Sequence, residues 1–157
     1  MEMQQALQSL MNVEENRVCA DCQNEQLRVT HVSVNNSAFI CSPCAELHAQ
    51  DLTPLISLVR PLNSDFWSHE QISTLRAGGG NREFSMFMSK YELATPKVEL
   101  NRKYNSVSCQ YWRDKLHQIQ NGLIPQTEMP TKMQGVVQMD RDVEGDWCLV
   151  DKSSVMV

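Results

Sequence analysis

Four cysteines form two Cys-x-x-Cys pairs in the first third of the chain, and this arrangement is typical of a metal site. The pairs are Cys19 with Cys22 and Cys41 with Cys44. Each pair can hold a metal from one tight turn, and the loop between the pairs is long enough to bring the two turns together. Four thiolates in a tetrahedral arrangement are a common ligand set of structural zinc. The spacing therefore predicts one structural Zn²⁺ bound by all four cysteines.

Paired cysteines have two other uses, and the rest of the sequence argues against both. Two disulfides would need an oxidising compartment, but the N-terminus has neither the basic nor the apolar region of a secretory signal. A redox Cys-x-x-Cys is normally single and set in a βαβ pattern, which is absent here. Zinc in a reducing, cytoplasmic compartment is the prediction. Cys109 and Cys148 lack metal spacing and are predicted to be free thiols.

Composition limits the class of protein and its partners. A chain of 157 residues with 41% apolar residues can form one domain with a modest core and a tail. The net charge of −5 gives no general attraction to phosphate backbones. Together with the lack of a basic recognition helix, it argues against nucleic-acid binding, including by a DNA-binding four-cysteine finger. No apolar run reaches the roughly 18–20 residues of a membrane span.

Hydrophobic periodicity predicts the elements that must position the cysteines. Short strands are predicted at Leu27–Val29, Val32–Val34, Ala38–Ile40 and 55–62. Helices are predicted at 3–12, 45–52, 65–77, 81–92 and 102–120, with Phe66, Ile72, Leu75, Phe84, Phe87, Met88 and Tyr91 facing inward.

Glycines 78–80 follow a predicted helix and lack the lysine of a phosphate loop, so they predict a corner between two helices. Periodicity ends near Gly122. The predicted organisation is a domain at 1–121 and an extended tail of low periodicity at 122–157. The predicted fold class is α+β: a four-cysteine zinc finger with a small β-sheet, surrounded by helices, plus the extended C-terminal tail.

Several motifs follow one another in an order typical of one family. They are an Asn before Cys-Ala-Asp-Cys, Phe-Ile-Cys-x-x-Cys, Leu-His after the last cysteine, Val-Arg-x-Leu, Gly-Gly-Asn at 79–81, and Lys-Tyr-Asn-Ser with Tyr-Trp-Arg-Asp-Lys-Leu at 103–116. In these motifs residues 4–120 resemble the Arf GTPase-activating (ArfGAP) domain, in its small Golgi-traffic type. The resemblance implies a zinc finger beside a small sheet. It also implies stimulation of GTP hydrolysis on an Arf-type GTPase through an arginine finger, which stabilises the charge of the transition state.

The family's arginine finger is the fifth residue after the last zinc cysteine, and in this chain that residue is Ala49. An arginine finger is worth about 10³–10⁵ in rate, none of which a methyl group supplies. The predicted function is therefore a catalytically inactive, zinc-binding ArfGAP module that binds protein partners in a larger assembly. The alternative is a working GTPase activator in which another arginine, or the GTPase itself, supplies the missing charge.

Some other positions differ from the family, and some match family residues. His31 and Ser37 occupy positions where the family has Trp and Gly. Arg60 corresponds to a second family arginine at the GTPase-facing surface and is a predicted partner-binding residue. Arg28 is a remote candidate for compensation, and His48 matches a family histidine that is expected to be structural.

The tail contains a second candidate for partner binding. Trp147 lies among acidic and apolar residues in the last part of the chain. A single tryptophan in such a context is typical of the anchor of a short docking peptide, although a plain spacer is the alternative.

Overall fold

Three short antiparallel strands form the sheet beside the cysteines. A computed structural model describes residues 2–141 and 147–149 of the chain. In it β1 (Val29–Ser33) lies between β2 (Ala38–Cys41) and β3 (Val59–Pro61), and β2 is buried along its whole length. The central strand is therefore covered on both edges, and the end of β2 delivers Cys41 to the metal site.

Helices surround this sheet, as the predicted fold class requires. They are α1 (Glu2–Met11), α2 (Ser42–Asp51), α3 (His69–Gly78), α4 (Asn81–Ser89), α5 (Leu100–Tyr104), α6 (Val107–Gln120) and α7 (Lys132–Gly135). Two further strands, β4 (Met139–Arg141) and β5 (Trp147–Leu149), pair in antiparallel fashion. Among the described residues, no helix has both the length and the apolar character that crossing a membrane requires.

The strand predictions are partly wrong. The predicted strands Leu27–Val29 and Val32–Val34 overlap a single strand, β1, whose register is irregular next to Val29. The predicted buried strand at 55–62 pairs only at Val59–Pro61, and Leu55 is 59% exposed. The segment before β3 instead turns tightly after α2, since Ile56 and Ser57 both donate backbone hydrogen bonds to the Thr53 carbonyl.

The helix at 65–77 also begins later than predicted. Ser68 caps α3, accepting from the Gln71 backbone while the Gln71 side chain accepts from the Ser68 N–H. Phe66 consequently lies in the preceding loop and is 84% exposed, so its inward placement is wrong. The neighbouring Trp67 is the buried residue of this loop.

The glycine corner joins α3 to α4 as predicted. Gly79 and Gly80 have φ of 78° and 97°, which glycine adopts without the strain of a side chain. A Cβ on Gly80 would collide with the side chain of Asn16. This close approach lets Asn16 accept a 2.8 Å hydrogen bond from the Asn81 backbone, and Asn81 in turn bonds both backbone polar groups of Phe39. The corner therefore fixes α4 against the edge of β2.

Two apolar clusters fill the space around the sheet. One lies between α1, α3 and the sheet and contains Leu7, Phe39, Trp67 and Leu75. The larger one lies among the later helices, and its buried members include the predicted inward residues Phe84, Phe87, Met88 and Tyr91, together with Tyr104, Trp112, Leu116 and Met139. The inward face of α4 is thus the one that periodicity predicts. The single helix predicted at 102–120 is instead two helices, α5 and α6, and Ile119 near its end is 37% exposed.

The first part of the predicted tail is folded against the helices. Thr131 caps α7, and Met139 is buried in the larger cluster. This part of the predicted tail therefore has regular structure, held by the burial of Met139 and by the Gln138 side chain, which donates to the Arg102 carbonyl of α5. The division of the chain at 121/122 stays a prediction.

Candidate metal centre and the surface beside it

Three elements bring the four predicted ligands to one place. Cys19 and Cys22 lie in the turn before β1, Cys41 ends β2, and Cys44 lies in the first turn of α2. Pro43 near the start of α2 suits this turn, because a helix leaves its first N–H groups without partners. The metal-binding atoms of the four cysteines all lie within 4.8 Å of one another.

The spacing of the sulfurs fits a tetrahedral zinc ion. Zn–S bonds of about 2.3 Å imply sulfurs about 3.8 Å apart, and the Sγ atoms of Cys22 and Cys41 are 3.7 Å apart. Four protein thiolates leave no open position on the metal. A zinc ion here is therefore structural. It holds together the two Cys-x-x-Cys turns (the knuckles), the sheet and α2.

The thiols of the cluster influence one another's ionisation. The pKa of Cys19 is lowered to about 5, chiefly by a hydrogen bond with the Cys44 thiol, while burial opposes the shift. The same hydrogen bond raises the pKa of Cys44, and burial raises the pKa of Cys41 to about 11. The thiolate of Cys19 therefore forms readily, whereas Cys41 and Cys44 need a cation to stabilise their negative charge.

A buried carboxylate between the first two cysteines connects the metal site to the later helices. Asp21 Oδ1 accepts hydrogen bonds from Lys103 Nζ at 2.9 Å and from Tyr104 OH at 2.6 Å. The Asp21 backbone N–H donates to Cys19 Sγ at 3.4 Å. Burial alone would raise the pKa of Asp21, but the charge of Lys103 and the hydrogen bond with His48 hold it below its usual range. Asp21 is thus an ionised residue of the metal site's outer shell.

His48 closes this network from the side of α2. Its Nε2 lies 2.6 Å from Asp21 Oδ2, and its Nδ1 lies 2.6 Å from Ser57 Oγ. Since an ionised carboxylate can only accept, Nε2 carries the proton and donates to Asp21. His48 is fully buried, so it faces the core and not the surface of α2. This geometry agrees with the expected structural role.

Ala49 is the next residue along α2 and faces solvent. It is exposed, as is the neighbouring Gln50. The helix that begins at the metal site therefore presents a methyl group at the position where the resemblance expects the arginine finger. Leu47, also on α2, is 46% exposed.

Arg60, the predicted partner-binding residue, is half-buried on β3 and makes contacts within the chain. Its guanidinium lies 4.8 Å from the centre of the Trp67 ring, donates to Gln71 Oε1 at 2.8 Å and also donates to Ser64 Oγ. Arg60, Trp67 and Gln71 border a groove of about 480 Å³ that is also lined by the exposed Phe66. Partner binding by Arg60 stays a prediction.

The remaining candidates of the sequence lie elsewhere. Arg28 is exposed just before β1. Cys109 is fully buried on α6, as expected of a packing thiol, and burial raises its pKa. Trp147 begins β5, and its side chain lies outside the described part of the structure, as does that of Cys148.

Comparison with known proteins identifies the family. Residues 4–126 match the ArfGap family model, "Putative GTPase activating protein for Arf". The chain belongs to the ArfGap family, and its four-cysteine cluster is a zinc-binding centre, so the predicted cofactor is confirmed.

Two curated relatives and one solved structure show how far the similarity extends. The chain is 31% identical over 103 residues to the "Probable ADP-ribosylation factor GTPase-activating protein AGD15" of Arabidopsis thaliana, covering 63% of this chain and 43% of that protein. It is 37% identical over 76 residues to human "Stromal membrane-associated protein 1", covering 48% of this chain and 16% of that protein. The chain therefore spans less than half the length of these relatives.

The solved structure supports the fold. It is that of a "putative GTPase activating protein for ADP ribosylation factor" from Cryptosporidium parvum. It superposes with a TM-score of 0.56 at 24% identity, covering 77% of this chain and 90% of that one. The predicted α+β zinc-finger architecture is confirmed.

Proposed function

We propose that this chain binds an Arf-type GTPase through the surface around α2 and contributes no arginine finger to GTP hydrolysis. The family match and the names of the relatives support an Arf-type partner. The proposed role is therefore that of a zinc-stabilised binding module, which occupies the GTPase without accelerating it strongly.

The observation that carries this proposal is the exposed methyl group of Ala49. An arginine finger lowers the barrier by roughly 4–7 kcal/mol, corresponding to about 10³–10⁵ in rate. Ala49 has no group that can stabilise charge on a transferring phosphoryl group. The adjacent His48 cannot replace it, because its ring is buried and both ring nitrogens have partners in the core.

A working activator is the second candidate, and Arg60 is the observation in its favour. Arg60 is only half-buried, and its present partners are neutral. Leaving the Trp67 ring for a phosphate would cost it about 0.5–2 kcal/mol of cation–π attraction. An ion pair between Arg60 and the phosphate can offset this cost. Arg60 is therefore the residue through which compensation would operate.

Single-turnover GTP hydrolysis on a purified Arf-type GTPase separates the two functions. Four proteins are compared: the wild-type chain and the variants Ala49→Arg, Gln50→Arg and Arg60→Gln. Gln50→Arg is the matched control, since it adds the same charge to the same exposed surface one residue away. Binding of the GTPase loaded with a non-hydrolysable GTP analogue is measured in parallel by calorimetry.

The proposal expects wild-type stimulation below about tenfold and a gain of about a hundredfold or more for Ala49→Arg alone. Wild-type stimulation well above tenfold that Arg60→Gln abolishes would establish the second function instead. Failure of both the wild-type chain and Ala49→Arg to bind the loaded GTPase would remove the GTPase as partner. Loss of binding in Arg60→Gln alone supports the predicted contact at Arg60.

We further propose that Trp147 anchors the tail to a second protein partner. A tryptophan supplies a large apolar contact with one polar handle, which suits an anchor in an otherwise acidic peptide. Affinity purification with the full chain and with Trp147→Ala and Asp146→Ala compares the anchor with its acidic neighbour. Equal recovery of every captured protein by Trp147→Ala and by the wild-type chain would refute the anchor role.

A further inference from the structure

Residues 130–139, which we call the strap, are hydrogen-bonded to the turn between α5 and α6. The N–H of Met139 donates to the Asn105 carbonyl at 2.9 Å, and the Val137 carbonyl accepts from the N–H of Val107 at 2.8 Å. The Gln138 side chain donates to the Arg102 carbonyl at 2.8 Å. These bonds hold the end of α5 and the start of α6 from outside.

Buried contacts fix the strap at both ends. Met139 is 5% exposed and belongs to the larger apolar cluster. At the other end, Tyr91 OH donates to the Pro130 carbonyl at 2.7 Å, and Gly135 lies so close to the Tyr91 ring that a Cβ would collide with it. The strap is thus docked in a defined position, in which Gly135 packs tightly against the Tyr91 ring and Met139 is buried in the larger apolar cluster.

The helix end held by the strap is also the part of the chain that reaches the zinc site. Lys103 and Tyr104, the last two residues of α5, both bind Asp21 Oδ1. Lys103 Nζ additionally donates to the Ala20 carbonyl at 3.3 Å. Asp21 donates its backbone N–H to Cys19 Sγ. A continuous set of bonded residues therefore runs from the strap through the end of α5 to a zinc ligand.

We propose that the strap acts as a clamp on zinc retention: while docked, it holds Lys103 and Tyr104 on Asp21, and its release loosens the Cys19–Cys22 turn and speeds loss of the metal. Groups that orient metal ligands typically change metal affinity by about 10–100-fold when altered. The strap acts on Asp21 only indirectly, through Lys103 and Tyr104, so the lower end of this range is expected. The whole strap lies beyond residue 126, where the family match ends, so the device extends the family domain.

A general loss of stability must be distinguished from this specific coupling. A clamp predicts that the effect is confined to α5 and the first knuckle. A merely stabilising segment would increase opening everywhere, including α1 and α3, which pack in the other apolar cluster. The test therefore measures both the rate of zinc release and the location of increased amide exchange.

The test places the same substitution at a buried and at an exposed position of the strap in the full chain. Met139→Asp puts a charge into the core, whereas Met133→Asp changes a residue on α7 that is 83% exposed. Gly135→Ala is an independent way to displace the strap, by collision with Tyr91. Leu7→Ala, a core change under α1, serves as the control for global destabilisation. Zinc release is followed with a chromophoric chelator at a temperature where circular dichroism shows all four variants folded.

Met139→Asp and Gly135→Ala are expected to release zinc about tenfold faster than the wild-type chain, with increased amide exchange at residues 19–22 and 100–108. Met133→Asp is expected to match the wild-type rate. Release within twofold of wild type for both Met139→Asp and Gly135→Ala, despite increased exchange in the strap itself, would overturn the clamp. Equal acceleration by Leu7→Ala would do so too, because the effect would then be global.

Discussion

Lys103 Nζ lies 2.9 Å from Asp21 Oδ1, although the two residues are 82 positions apart in the chain. Both side chains are largely buried, with 4% and 9% exposure. Such a pair is retained only when its charges satisfy each other, since burial of an isolated ion is costly. The pair therefore connects the last helices of the domain to the turn that holds Cys19 and Cys22.

Replacing Lys103 by Met is expected to destabilise the domain by about 3–5 kcal/mol, because it leaves the Asp21 carboxylate buried without its cation. Urea unfolding at a fixed excess of zinc measures the effect. Lys97→Met, at an exposed position, is the control and should change stability by less than about 0.5 kcal/mol. Adding Asp21→Asn to Lys103→Met should recover part of the loss. A loss below 1 kcal/mol for Lys103→Met would show that the pair is dispensable.

Zinc content should follow the four clustered cysteines and no others. The purified chain is expected to contain about one zinc per molecule, and Cys41→Ser should lose it, since three thiolates and a hydroxyl are a poorer ligand set. Cys109→Ser is the matched control, as Cys109 is equally buried but lies outside the cluster. Elemental analysis after dialysis gives the result. Retention of a full equivalent by Cys41→Ser would exclude Cys41 as a ligand.

The zinc site could be predicted from the sequence because its signal is local. Two residues between paired cysteines fix a turn geometry, whatever the rest of the chain does. The buried face of α4 was predictable for the same reason, since periodicity needs only neighbouring residues. Asp21 and Lys103 were missed as a pair because a lysine is normally exposed, and only the fold brings it to the knuckle. The acidic Asp21 between Cys19 and Cys22 was the signal in the sequence for a nearby cation in the fold.

Departures from the sequence pattern have several physical causes. Phe66 fits the apolar pattern of a helix, but the capping box at Ser68 starts α3 later and leaves Phe66 in solvent. Ser37, where the resemblance expects glycine, has a φ of 51°, and its hydroxyl donates to the Leu75 carbonyl at 2.9 Å. The sequence did not predict that the strap is ordered, because its four-residue helix α7 has almost no stability of its own and depends on docking.

Asn81→Ala should reduce stability more than most substitutions of uncharged residues. The Asn81 side chain accepts from the Phe39 N–H at 2.7 Å and donates to the carbonyls of Phe39 and Val18 at 3.0 and 2.8 Å. Its removal leaves these buried groups without a partner, at about 1–3 kcal/mol for each unsatisfied group. Thermal unfolding should show a large drop in the midpoint temperature. Asn63→Ala, at an exposed turn, should leave that midpoint nearly unchanged, and a similar small effect for Asn81→Ala would contradict the bridging role.

Cys109 should resist thiol reagents while the domain is folded. Burial raises the pKa of Cys109, so little of the reactive thiolate forms at neutral pH, and its sulfur is inaccessible. With zinc bound and Cys148→Ser introduced, a chromogenic disulfide reagent is expected to modify the chain only at the rate of unfolding. Low concentrations of urea should accelerate the reaction steeply. Rapid modification without denaturant would show that α6 opens locally around Cys109.

Arg60→Lys is expected to cost about 1–2 kcal/mol of stability, even though it preserves the charge. The planar guanidinium stacks 4.8 Å from the Trp67 ring centre and simultaneously donates to Gln71 and Ser64. An ammonium group cannot reproduce stacking and two divergent hydrogen bonds from one position, so most of the cation–π and hydrogen-bond contribution is lost. Arg76→Lys, at an exposed site on α3, is the matched control and should be neutral. Urea unfolding of the two variants compares them directly. If Arg60→Lys is as stable as the control, the guanidinium is free to leave Trp67, and its availability to a partner's phosphate becomes the better account of why an arginine stands there.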